Sequence, residues 1–158
     1  MKLKIVLYPD PILGKVCSPV PEITDEIRTL ARDMLETMYE APGVGLAAPQ
    51  VGKLINMVVY DPAGKDEPKQ PHVIINPEVT VPTDFRADVL RSETIHLKAL
   101  DFDGNVIDRD IDGFEAIIVQ HETDHLKGVL FIDKIGRIRR AFYDNKVKKW
   151  LKRQKQAK

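Results

Sequence analysis

A single cysteine, Cys17, stands among 158 residues, and one thiol excludes both an internal disulfide and a cysteine-rich metal cluster. It is compatible with a reducing compartment, and Cys17 itself reads as a small buried or half-buried side chain. No apolar run approaches the ~20 residues that cross a bilayer, and Ile5-Val6-Leu7 is too short for the core of a signal peptide. A cytoplasmic protein is expected. Internal repeats and low-complexity segments are absent as well. What is present is a 43% hydrophobic chain, enough for one compact unit with a core and not enough for two.

Net charge is zero, with 24 basic and 24 acidic residues, but the balance is uneven along the chain. Residues 137–158 hold ten Lys or Arg against one acid, Asp144, a net of +9, which leaves −9 on the rest. Ile138, Phe142, Val147, Trp150 and Leu151 supply apolar positions on which such a segment could pack as a helix, basic side chains outward. A solvated charged face is the common explanation of such a run. The imbalance also suits RNA or another polyanion. The chain therefore divides into a body, 1–136, and a basic C-terminal helix or tail, 137–158.

Four prolines within the first 23 residues favour an extended, turning lead-in. Thr24 then caps an amphipathic helix in which Ile27, Leu30, Ala31, Met34, Leu35 and Met38 recur at three-and-four spacing until Pro42-Gly43. Strands are expected over Leu54–Tyr60, Val73–Ile75, Ala87–Leu90 and Thr94–Leu100, the last joined to Val106–Ile111 by a hairpin turn at Asp103-Gly104. Strands in the middle with helices before and after predict an α+β domain with a mostly antiparallel sheet.

The chemistry concentrates in Gln120-His121-Glu122-Thr123-Asp124-His125, inside an apolar stretch from Phe114 to Leu130 that suits a buried central helix. Asp112 stands where it could cap the start, Phe114, Ile117 and Ile118 suit an inward face, and Gly128 is placed to end the helix. On a helix His121 and His125 leave one face a turn apart and can reach one metal ion. Glu122 cannot easily be a third ligand from the same turn, but it can take a proton from a water held by that metal. Two ligands are one short of a catalytic site. His96, alternating with Ile95 and Leu97, and His72, beside a proline turn, read as ordinary polar residues.

A second segment, Gly43-Val44-Gly45-Leu46-Ala47-Ala48-Pro49-Gln50-Val51-Gly52, has the small residues that let backbone approach a ligand, and Gln50 can donate to an oxyanion without competing for a metal. With Gln120–His125, Leu100-Asp101-Phe102-Asp103-Gly104-Asn105 and Gly128-Val129-Leu130-Phe131-Ile132-Asp133, it resembles peptide deformylase, from the Tyr8–Leu13 lead-in to Asp133. The resemblance implies a metal-dependent hydrolase that removes the formyl group from the formylmethionine of nascent chains. It implies His121 and His125 as metal ligands, usually of ferrous iron, with zinc, nickel or cobalt able to substitute. Glu122 would be the general acid/base and Gln50 an oxyanion donor. Gly43 and Gly45 would pair with the peptide as an added strand, with Val44 and Ile117 lining the methionine pocket. The family's C-terminal helix engages the ribosome, in agreement with the +9 tail.

One departure stands out. The family's Glu-Gly-Cys-Leu-Ser motif, source of a cysteine ligand and of an oxyanion-binding backbone N–H, should fall between Asn76-Pro77-Glu78 and Val81-Pro82. Here Asn76–Thr80 runs straight into Val81-Pro82-Thr83-Asp84-Phe85-Arg86-Ala87. Cys17 sits where the family has no ligand. Either a short segment is missing from the sequence as read, or the chain is a degenerate member, a non-catalytic ribosome- or RNA-binding module with an incomplete metal site. Retention of Gln50, Glu122 and both histidines favours the former. A zinc endopeptidase built on the same histidine pair would need a third ligand beyond the helix and would leave the glycine-rich segment without a role.

Overall fold

A computed structural model describes residues 1–41, 43–64, 66–81 and 92–129. Helix α1, Asp25–Glu40, begins as its sequence requires: the Thr24 hydroxyl accepts from the Ile27 N–H at 3.3 Å. Five strands follow in chain order, β1 Gly45–Ala47, β2 Met57–Tyr60, β3 His72–Thr80, β4 Thr94–Leu100 and β5 Val106–Asp112, and helix α2, Gly113–Leu126, comes after them. The strands form one antiparallel sheet in the order β1-β2-β3-β4-β5. The α+β expectation is met.

Side chains alternate across a strand, so each face of the sheet acquires its own core. Met57, Val59, Val73 and Ile75 pack with Ala31, Met34 and Met38 of α1. Val58, Tyr60, Ile74, Ile95 and Leu97 pack with Ala116, Ile118, Val119 and Leu126 of α2. Cys17 joins the second cluster, 7% exposed, and burial pushes its thiol pKa up.

Several boundaries differ from the sequence reading. Strand β3 is nine residues long where three were expected, because a bulge between Ile75 and Glu78 absorbs Asn76 and Pro77. Asn76 takes φ 53°, a conformation asparagine tolerates, and its side-chain amide accepts from Val20 N–H and donates to Val20 O. Strand β2 starts at Met57, not Leu54; Ile55 makes only an isolated bridge to Ser18. Asp112 occupies the position before α2, but its side chain accepts no capping hydrogen bond. Phe114 and Ile117, expected inward, are 56% and 41% exposed.

His96 points away from the core and bonds Asp110 and Asp108 across the β4–β5 pair, and His72 stacks on Tyr60 with ring centroids 4.8 Å apart. Neither belongs to a ligand cluster among the described residues. Among them, too, no helix is long and apolar enough to cross a membrane. The expected strand at Ala87–Leu90, the Leu130–Asp133 end of the motif and the basic segment 137–158 lie outside the described residues.

Candidate active site

Helix α2 carries the site, and its faces are unusual. Towards the sheet it buries Ala116, Ile118, Val119 and Leu126, but also Gln120, Glu122 and Thr123. Towards the open side it presents Phe114, Ile117 and His121, three residues at helical spacing. The His121 and His125 rings lie 5.1 Å apart, centroid to centroid, with planes at 86°. The helix ends as Gly128 takes φ 72° and its N–H bonds His125 O; a side chain there would strike Gly14 O at 2.5 Å.

Glu122 is 5% exposed, and Oε1 stands 3.9 Å from His121 Nε2. Its Oε2 is buried with no hydrogen-bond partner among the described residues. Burial raises its pKa from 4.5 to about 8, because a charged carboxylate loses its hydration there. A buried carboxylate beside His121, whose ring packs edge-on to that of His125, lacks only a cation or a proton, so these residues fit a metal and its water. His121 and His125 could supply two ligands; no group of three His, Cys, Asp or Glu converges among the described residues. Cys17 therefore does not complete the site, in keeping with its proline-rich surroundings.

Strand β1 forms the opposite wall. Among the described residues it is an edge strand, paired there with β2 alone, in the register Gly45 to Tyr60, Leu46 to Val59 and Ala47 to Val58. The chain turns at once into a 3-10 helix, Ala48–Val51, that delivers Gln50. Gln50 Oε1 accepts from Ala47 N–H at 2.9 Å. Because that partner can only donate, the amide is oriented, and its NH2 is the end left to donate elsewhere.

Sequence reasoning missed three features. Gly45 touches Glu122 so closely that it has no room for a side chain. Gln120 accepts from Ser92 N–H at 2.9 Å and donates to Ser92 O at 2.6 Å, tying α2 to the start of β4; a buried amide one turn from Ala116 on an apolar helix was the available signal. Tyr60 O–H and Arg109 both donate to Glu115 Oε1. Burial pushes the Glu115 carboxyl up, but those two donors outweigh it and hold it below its ordinary value. They line, with His72, a separate cleft of about 840 Å³.

Residues 2–141 match the family model described as polypeptide deformylase. The chain belongs to the polypeptide deformylase family. It is 42% identical to the peptide deformylase of Mesorhizobium japonicum, covering 94% of this chain and 92% of that one. It superposes on the crystal structure of a peptide deformylase from Legionella pneumophila with a TM-score of 0.85 at 34% identity, covering 98% of each chain. A deformylase from Ehrlichia chaffeensis, solved in complex with actinonin, gives 0.85 at 31%, over 94% of this chain and 96% of that one.

Membership makes this chain a metal-dependent hydrolase of the deformylase type, and no finding favours the non-catalytic alternative. The Psychrobacter cryohalolentis deformylase, 42% identical, aligns over 170 positions that cover 98% of this chain and 91% of that one. Since 98% of 158 residues is about 155, roughly 15 aligned positions of that deformylase face no residue here.

Proposed function

We propose that this deformylase acts on the formylmethionine end of new polypeptides in the cytoplasm, with His121 and His125 holding iron(II) and with zinc, nickel or cobalt able to replace it. When bound, the metal supplies a Lewis acid that polarises the formyl carbonyl and makes a water acidic enough to attack at neutral pH. The chain's own residues do the rest. Glu122, buried with its carboxylate beside His121, accepts the attacking water's proton and returns it to the departing amine. Gln50, its oxygen engaged by Ala47 N–H, turns its NH2 to the oxygen that gains charge.

The edge of β1 that no strand among the described residues covers suits an extended peptide, which Gly43 and Gly45 would bind through backbone while Val44 and Ile117 flank its methionine. Val44 and Ile117 are 43% and 41% exposed, so both present apolar surface on the open side. The Glu-Gly-Cys-Leu-Ser segment that the resemblance implies would bring the third ligand. Residues 1–136 would form the catalytic domain, and the basic residues 137–158 would meet the ribosome. The +9 charge supports that contact.

The observation that carries this reading is the buried Glu122 carboxylate, one oxygen 3.9 Å from His121 Nε2 and the other without a hydrogen-bond partner among the described residues. Formate release from a formylmethionyl dipeptide tests it. Release should stop with a chelator and return with ferrous ion under anaerobic conditions; a metal-loaded protein that releases no formate overturns the proposal.

A further inference from the structure

We infer that Gly45 is a positioning residue for Glu122: the missing side chain at this one site in β1 makes the space in which the carboxylate stands. The inference rests on Glu122 acting as the acid/base. A Cβ placed on Gly45 would lie 2.8 Å from Glu122 Cγ, 2.8 Å from Oε1 and 2.9 Å from Cδ. Attractive carbon contacts need about 3.5–4.0 Å. The Gly45 α-carbon is thus the wall of the Glu122 pocket, and one methyl group would occupy the side chain's own volume.

Backbone freedom does not explain this glycine. Gly45 is not among the positive-φ residues, so its backbone is open to any L-residue. Nor is crowding general in the segment. A Cβ on Gly43 would meet only backbone oxygens at 3.8 Å, and one on Gly52 would meet nothing within 4 Å. Steric clearance for Glu122 singles out position 45.

Neither side of the contact can easily yield. Glu122 is 5% exposed, and the clash begins at its Cγ, close to the helix, not at a swinging tip. Helix α2 is pinned by the Gln120–Ser92 pair and by Ala116, Ile118 and Val119 in the core. Strand β1 is pinned by its register with β2, and Ala47 N–H holds the Gln50 side chain. A methyl at position 45 would therefore displace the carboxylate, or move the strand and Gln50 with it. A shift of about 1 Å in a reacting group costs on the order of 100-fold in rate.

The test is a double-variant cycle read in stability and in turnover. Gly45→Ala should lower the denaturation midpoint of the natural chain, and should not lower it in the Glu122→Ala background, where the colliding atoms are gone. In the enzyme, Gly45→Ala should reduce kcat about 100-fold with KM changed less than about threefold. Should the single variant fail to fold, recovery of folding in the double variant reads the same contact. Equal destabilisation in both backgrounds overturns the inference, as does a raised KM with unchanged kcat, which is what a purely substrate-pairing glycine would give. If the unaltered protein releases no formate, the catalytic reading fails while the stability cycle still reports on Gly45 and Glu122.

Discussion

The two helices cover opposite faces of one sheet by opposite rules. Helix α1 buries Ala31, Met34 and Met38 and turns its charges out. Helix α2 turns Phe114, Ile117 and His121 out and buries Gln120, Glu122 and Thr123. The first arrangement lowers the free energy of the fold. The second works against it, since a buried carboxylate costs free energy unless something compensates its charge. Both faces bury apolar side chains, but only the α2 side also buries a carboxylate, so a substitution on the α1 side should cost stability and leave the chemistry nearly intact.

Removing a metal ligand should test that separation most severely. His121→Ala or His125→Ala should reduce formate release to background and abolish stoichiometric metal binding by mass spectrometry, with the far-UV spectrum preserved. Glu122→Gln should come next, a loss of about 10²- to 10⁴-fold in kcat with metal content kept. On the other face, Met34→Ala should cost about 2–5 kcal/mol in urea titration while kcat at permissive temperature stays within twofold. Activity loss from the α1 side under folded conditions would break the comparison.

Smaller effects sharpen it. In metal-free protein the folded state holds the Glu122 proton more tightly than the unfolded chain, with a pKa near 8 against 4.5. The stability this gives is complete below pH 4.5 and is lost as pH rises through 8, by on the order of a few kcal/mol. The urea midpoint should therefore fall more steeply over that range in the parent than in Glu122→Gln; parallel curves would mean that Glu122 is not buried in this way. Phe114→Ser, at an exposed position, should change stability by no more than about 0.5 kcal/mol, and a larger loss would show that this face belongs to the core after all.

How far the sequence was legible follows the range of the forces involved. Thr24, the periodic apolar residues of α1 and the Asp103-Gly104 turn act within a few residues, and each stands where its pattern required. The nine-residue β3 was not legible, because Pro77 argues against a strand and only the Asn76 side chain, reaching Val20 across 56 residues, holds the bulge. The histidine pair and Glu122 were readable from their helical spacing, but the inward turn of Gln120 was not. Gly45 looked like a glycine for close substrate approach. Its contact with Glu122 joins residues 77 apart in sequence, and only the packing of β1 on α2 reveals it.

The Gln120–Ser92 tie has an evolutionary reading. Strand β3 ends where Thr80 pairs with His96, and the entry to β4 is held at Ser92, whose backbone a helix side chain binds. A connection whose two ends are fixed in this way can change length at small cost, since doubling a flexible connection costs only about 0.6 kcal/mol in closure entropy. Selection is then free to lengthen, shorten or rewrite that stretch without renegotiating the fold. New chemistry introduced there would be anchored at the helix residue next to His121.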